Sequence, residues 1–195
     1  MQKAVLILAS RSPRRRALLE QLGIPHEVRP SAVEERPEPG ELPAAYAERL
    51  AREKALDVSR TSPLTALGAD TIVVIDGRIL EQPRDDGDAY EMLSRLSGRA
   101  HQVITGVALA RGGALLSSET SVTEVHFRAL SETELRRYIA SGEGRDKAGA
   151  YGAQGLGGGL IEKFDGDYGT VVGLPLALTV RMLKTHGVID EWPLG

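Results

Sequence analysis

The sequence contains no cysteine, which removes disulfides, thiolate zinc sites and a cysteine nucleophile from consideration. Aromatic residues are scarce: one Trp, five Tyr and two Phe offer no obvious stacking platform for nucleic-acid bases. An excess of positive charge is lacking as well. With 24 Lys and Arg against 27 Asp and Glu, the net charge is −3, which argues against the domain-wide basic surface of a nucleic-acid binder. No apolar run approaches the ~18 residues of a membrane span. Lys3 is followed by only six apolar residues before Ser10, too few for a secretory signal. Nucleic acid and membrane are therefore not expected as partners, and the expected location is the cytoplasm. The chain has no internal repeat and no low-complexity tract.

What is present suits an ordinary globular chain. At 195 residues and 42% hydrophobic content it can bury a proper core, either as one domain over residues 1–195 or as two small lobes sharing a sheet. The first informative stretch runs from an apolar strand into a basic helix start. Residues 4–8 read AVLIL, short enough for a buried strand, and Ser12-Pro13 starts a helix with Ser as N-cap and Pro at the first helical position. Leu18, Leu19 and Leu22 then share one face, and Gly23 ends the helix. The first turn, where the helix dipole favours acids, holds Arg14 and Arg15 instead. Exposed cations there are unfavourable by ~0.3–1 kcal/mol each. The arrangement makes sense if backbone N–H groups and guanidinium forks converge on a phosphate. A solvated basic helix end is the alternative.

Residues 25–30 suit a short strand, and residues 31–43 carry four acids and three prolines without periodicity, which predicts a loop. Glu34 and Glu35 lie in it, either solvated, as the sequence alone favours, or serving as carboxylates for a metal or a proton. A helix follows over 43–59 with Ala47, Leu50, Ala51, Ala55 and Val58 as its apolar stripe. Lys54 falls on that stripe, so it either snorkels off the edge or reaches a buried anion. Residues 67–75 read as a strand apolar on both faces, turning at Asp76-Gly77 in a type I′ hairpin. Asp70 is the anomaly of that strand. A buried carboxylate there requires a metal, a cation or a reacting water, unless residues 68–70 still belong to a loop.

Helical spacing returns over 86–96, two strands over 103–110 and 117–127 flank Gly112-Gly113, and Ser131 with Glu134 forms a capping box for a helix ending near Ser141. His101 and His126 have no ligand-like spacing and are expected to be solvated or at the core edge. Six glycines among residues 149–159 imply tight turns or close backbone approach to a ligand, without a Walker or Rossmann pattern. By glycine count a mobile loop is as good a reading as a site. Asp146, Lys147 and Gln154 add the charge and the carboxamide of a site. A turn is expected over 165–169, a last helix over 176–186, and a frayed or lightly docked tail carrying Trp192.

Five segments taken together carry a resemblance: Ser10-x-Ser12-Pro13-Arg14-Arg15, Glu53-Lys54-Ala55, Gly68-Ala69-Asp70-Thr71, Leu96-Ser97-Gly98-x-x-His101-x-Val103, and Asp146-Lys147-Ala148-Gly149-x-Tyr151-Gly152-x-Gln154-Gly155. In order and spacing they resemble the Maf-like nucleoside triphosphate pyrophosphatases, the septum-formation-inhibitor family, and Val171-Val172-Gly173-Leu174-Pro175 extends the likeness. The resemblance implies an α/β fold like that of the inosine triphosphate pyrophosphatases, with a long twisted mixed sheet, flanking helices and two lobes around a cleft. It implies hydrolysis of a nucleoside triphosphate, preferably dTTP or UTP, to the monophosphate and pyrophosphate. A divalent metal cation, Mg²⁺ or Mn²⁺, is implied as cofactor, and house-cleaning of modified pyrimidine nucleotides as a role. By motif match Asp70 is the general base or a metal ligand, with Glu34 as the second acid. Ser10, Ser12, Arg14, Arg15 and Lys54 become substrate contacts, and Thr71 and Gln154 mark the branch acting on dTTP and UTP. A homodimer is left open. One departure is plain: Gln82 stands where many relatives carry Lys before Pro83. The rival reading is a nucleotide-sensing regulator of cell division that binds without turnover.

Overall fold

Leu6–Leu8, fully buried along its whole length, is β1 of a mixed sheet in the computed structural model, which describes residues 4–194. It pairs in parallel with β2 (His26–Val28) on one side and β3 (Thr65–Ile75) on the other, so that Ile7 stands opposite both Glu27 and Ala66. Parallel neighbours need crossover connections. Helix α1 (Pro13–Gln21) supplies the first and α2 (Pro43–Ser59) the second. Asp76 and Gly77, with φ of 52° and 73°, make the expected turn into β4 (Arg78–Leu80), which returns antiparallel to β3. Then come α3 (Asp86–Leu96), β5 (Ala100–Arg111), β6 (Ala114–Phe127), α4 (Glu132–Ala140), β7 (Ile161–Asp165), α5 (Tyr168–Val172) and α6 (Leu176–Thr185). The strand order is β2-β1-β3-β5-β6-β7, with β4 on β3, a mixed seven-stranded α/β sheet as the sequence predicts.

The chain divides into two compact units. One gathers the chain up to Asp70, residues 105–121 and the chain from Gly173 onward; the other gathers residues 71–104 and 122–172. In the first, α2 lies on the sheet through small residues: Ala51 and Ala55 pack on Ala108 and Ala110. Two glycines let it come so close. A Cβ on Gly68 would overlap the carbonyl of Ala51 and lie 2.7 Å from the Ala55 nitrogen. A Cβ on Gly106 would run into the backbone of Ala47, 2.6 Å from its carbonyl carbon. In the second unit, Leu93 and Leu96 of α3, Val103 of β5, Val125 and Phe127 of β6 and Leu135 of α4 belong to one buried cluster.

Several local expectations need correction. Strand β6 begins at Ala114 rather than 117, because the Gly112-Gly113 turn, positive in φ at both residues, starts the return at once. Strand β7 has no counterpart in the sequence pattern: Ile161-Glu162-Lys163-Phe164-Asp165 lacks a long apolar run and is held by pairing with β6. The turn expected over 165–169 runs straight into α5. The glycine-rich stretch contains two short 3₁₀ helices, Ala148–Ala150 and Gly155–Leu160. Of the two readings of the tail, the docked one holds, since the Trp192 indole donates to the Leu22 carbonyl at 2.9 Å. No helix among the described residues is long and apolar enough to cross a membrane.

Candidate active site

The basic helix start is built as the sequence suggests. Ser12 has extended backbone, its hydroxyl accepts from the Arg15 nitrogen at 3.3 Å, and Pro13 follows. Ser10, buried, accepts from the Ser12 nitrogen at 3.2 Å and from Arg15 Nη1 at 3.1 Å. Arg15 Nε donates to the Gly173 carbonyl at 2.8 Å. Its guanidinium is therefore held rigidly. Burial pushes it below its ordinary pKa, while the negative charges of Asp70 and Glu35 pull the other way. Arg14 beside it is half-buried and has no ion-pair partner among the described residues.

Asp70 and Lys54 explain each other. Alternation along β3 puts Asp70 on the same face as Gly68, the face on which α2 rests. Lys54 lies between Ala51 and Ala55, the two α2 residues that crowd Gly68, and its Nζ donates to Asp70 Oδ1 at 2.6 Å. Both side chains are under a tenth exposed, at 8% and 7%. The lysine on the apolar stripe thus reaches a buried anion. The same Nζ donates to Glu35 Oε1 at 2.6 Å, so one ammonium bridges a buried carboxylate and a half-exposed one.

Glu35, not Glu34, is the acid brought to this cluster. Glu34 points to solvent and pairs with Arg36 at 2.7 Å. Neighbouring residues in an extended loop face different ways, and composition does not say which. The loop is fastened to α2 by contacts the sequence reading missed. Arg49 forks onto Glu41 with two 2.7 Å bonds and donates to the Arg36 carbonyl at 2.9 Å. Asp57 accepts from the Ala32 nitrogen at 3.0 Å. The hydrogen bond from Arg49 holds the Glu41 carboxyl below its ordinary pKa. Only the Arg49-x-x-x-Glu53 spacing, which the structure closes at 3.1 Å, was a signal in the sequence.

Thr71 and Gln154 belong to the second unit. Thr71 follows Asp70 on β3 and alternation turns it to the other face. Gln154 is exposed, at the start of the 3₁₀ helix Gly155–Leu160. Glu143 is the residue that organises this stretch, accepting from the backbone nitrogens of Leu156 and Gly157 at 2.8 Å each. Burial would raise the Glu143 carboxyl, but the hydrogen bonds from Gly157, Leu156 and Tyr138 outweigh it and keep its pKa below the ordinary value. Near Gln82, Arg84 is engaged at both ends of its guanidinium by Asp88.

His101 lies deeper than expected. It is 3% exposed, its Nε2 is 2.7 Å from the Tyr151 hydroxyl, and it packs edge-on to Phe127 and Tyr151. Burial, with a smaller push from His126, lowers its pKa from 6.5 to about 4. Between those values the unfolded chain binds a proton that the folded chain refuses, so stability falls as pH drops from 6.5 towards 4. The loss attributable to this group is about 3 kcal/mol. Urea unfolding at pH 7, 5.5 and 4 is expected to show a shallower acid loss in His101→Phe than in the parent. Equal losses would mean that His101 is protonated in the fold.

Among the described residues no three His, Cys, Asp or Glu side chains converge as a metal cage. Asp70 and Glu35 do converge on a positive charge, the Lys54 ammonium. Carboxylates are the hard oxygen donors by which divalent cations such as Mg²⁺ are commonly held, one or two at a time together with substrate phosphates.

A phosphate-seeking helix start beside a carboxylate–ammonium cluster, on one mixed sheet, is the equipment of an α/β hydrolase acting on phosphoric anhydrides. Comparison with known proteins narrows the class. The chain belongs to the Maf-like protein family, whose pattern it matches over residues 5–186. It is 53% identical over 186 residues to the dTTP/UTP pyrophosphatase of Pectobacterium atrosepticum, covering 94% of each chain. It is 50% identical over 182 residues to the dTTP/UTP pyrophosphatase of Syntrophomonas wolfei, covering 92% of this chain and 96% of that one. Among solved structures, a nucleoside-triphosphatase / dITP/XTP pyrophosphatase from Mycobacterium abscessus is similar at a TM-score of 0.44 and 18% identity, with 94% of this chain and 97% of that one covered.

Proposed function

We propose that the chain hydrolyses nucleoside triphosphates to the monophosphate and pyrophosphate, with dTTP and UTP preferred. The observation that carries the reading is the Glu35–Lys54–Asp70 bridge, in a chain about half identical to relatives named for that activity. Asp70 accepts the proton of the attacking water as its oxygen bonds to the α-phosphorus and the bond to the pyrophosphate oxygen breaks. Lys54 holds the Asp70 carboxylate in place through the 2.6 Å bond to Oδ1. Arg14, Arg15 and the amides at the start of α1 take the charge of the phosphates, with Ser10 and Ser12 fixing Arg15. Asp70 and Glu35 are the residues that would hold Mg²⁺ or Mn²⁺, with Glu35 replacing Glu34 in that assignment. When bound, such a metal spreads the charge that builds on the phosphate oxygens.

Thr71 and Gln154 are assigned to base selection. The Gln154 carboxamide offers an acceptor oxygen and donor hydrogens, matching the O4 acceptor and N3–H donor of uracil or thymine, whereas cytosine reverses that order. A site built to bond one edge rejects the other by leaving buried polar groups unpaired. Residues 1–195 act as one functional domain in this reading. It works in the cytoplasm, where the triphosphate pool lies, and clearing modified pyrimidine triphosphates is its proposed service.

A panel of dTTP, UTP, CTP and GTP with Mg²⁺, scored for monophosphate and pyrophosphate, tests the proposal. Faster release of pyrophosphate from dTTP and UTP is expected. Equal turnover of all four would sink the base preference, and binding without turnover would favour a sensing role.

Arg14 gives a cleaner test of the phosphate contact than Arg15, which also supports the backbone at Gly173. Arg14→Ala is expected to lower kcat/KM by roughly 10- to 100-fold, the worth of a charge-assisted contact of ~1.5–3 kcal/mol. Its unfolding midpoint should stay near that of the parent. Unchanged kcat/KM would return Arg14 to the role of a solvated surface charge.

A further inference from the structure

The glycine-rich stretch is held from within. Glu143 lies just beyond α4, with one carboxylate oxygen accepting from Leu156 N and the other from Gly157 N, both at 2.8 Å. The Tyr138 hydroxyl donates to the same carboxylate at 3.1 Å and accepts from Gly152 N at 3.1 Å. Gln154 therefore sits midway along an arc whose two ends, Gly152 and Leu156, are pinned to one hydrogen-bonded pair. The glycines keep the arc tight. Gly155 has φ of +66°, and a Cβ there would come within 2.5 Å of Glu143 Oε2, while a Cβ on Gly157 would overlap the Gly152 carbonyl and lie 2.9 Å from the Tyr138 hydroxyl. These amides are taken by a carboxylate of the chain itself, so the glycine run serves the shape of the arc rather than approach to a phosphate.

We infer that Glu143, supported by Tyr138, is a positioning residue that fixes the arc carrying Gln154 and thereby sets the preference for uracil and thymine over cytosine. The inference rests on the assignment of Gln154 to base selection. Both backbone donors need an acceptor oxygen, and a carboxylate supplies two where a carboxamide supplies one. In Glu143→Gln one N–H therefore faces an NH₂ group, and the arc loses its single geometry.

The test compares kcat and KM for UTP and CTP in the parent, Glu143→Gln and Gln154→Ala. In Glu143→Gln the UTP to CTP ratio of kcat/KM is expected to fall by roughly tenfold, the size of effect that follows from losing one hydrogen bond to a charged acceptor. The fall should come from a higher KM for UTP, with kcat for UTP little changed, because the groups Glu143 holds, Leu156 N, Gly157 N and the Tyr138 hydroxyl, are assigned no part in the chemistry. A purely structural role would instead lower kcat for both nucleotides together and leave the ratio alone. If Gln154→Ala collapses the ratio and Glu143→Gln does not, the inference about Glu143 is wrong and the assignment of Gln154 stands. If Gln154→Ala leaves the ratio unchanged, both fall. Should Glu143→Gln fail to fold, Tyr138→Phe, which removes the hydroxyl that holds Gly152 N, decides by the same ratio.

Discussion

Asp70→Asn is expected to lower kcat for dTTP hydrolysis by roughly 10²- to 10⁴-fold, the usual worth of a positioned general base. The substitution keeps the shape of the side chain and an oxygen that accepts from Lys54, but it removes the charge that draws a proton from water. The fold should survive it. Lys54 retains Glu35 as a charged partner 2.6 Å away, and that carboxylate is more than half exposed, so the ammonium is not left bare in an apolar setting. Steady-state rates with dTTP and a thermal melt of the same sample separate the two effects. A variant with near-parental kcat would remove Asp70 from the chemistry and leave it as the buried partner of a structural lysine.

Two anomalies in the sequence found their resolution in each other. A lysine on the apolar stripe of α2 and an aspartate in an apolar strand each allowed a bland reading, as a snorkelling cation or a loop-end cap. What joins them is the close approach of α2 to β3, which depends on the absence of a side chain at Gly68. Local signals with fixed geometry were legible directly. The Ser12-Pro13 cap, the Asp76-Gly77 turn and the Ser131/Glu134 capping box are all formed. Less legible were features that depend on partners distant in sequence. The choice between Glu34 and Glu35 is made by how Arg49 and Asp57 fasten the loop. The order of the glycine-rich stretch comes from Glu143, thirteen residues before the Leu156 amide it accepts from. Strand β7 exists because β6 offers it an edge, not because its own pattern demands a strand.

Removing the cation instead of the anion should affect stability more than any other single change at this site. In Lys54→Met an unbranched apolar chain of similar length fills the same path along α2, and the Asp70 carboxylate, 7% exposed, loses its ammonium partner. Breaking a buried ion pair from one side typically costs 3–5 kcal/mol, because the remaining charge stays desolvated without compensation. That is a large share of the ~5–15 kcal/mol by which domains are stable, so the urea midpoint should fall sharply and kcat with it. The double variant Lys54→Met/Asp70→Asn distinguishes an unpaired charge from a packing defect. Once the carboxylate is an amide neither charge of the Lys54–Asp70 pair remains, and replacing both members of such a pair is often close to neutral. Its stability is therefore expected to recover most of what Lys54→Met loses, while its kcat stays as low as that of Asp70→Asn. Unfolding free energies of the parent, both single variants and the double variant close the cycle. Simple additivity of the two losses would show that Lys54 and Asp70 do not depend on each other, and the bridge at the centre of the proposed site would then carry no mechanism.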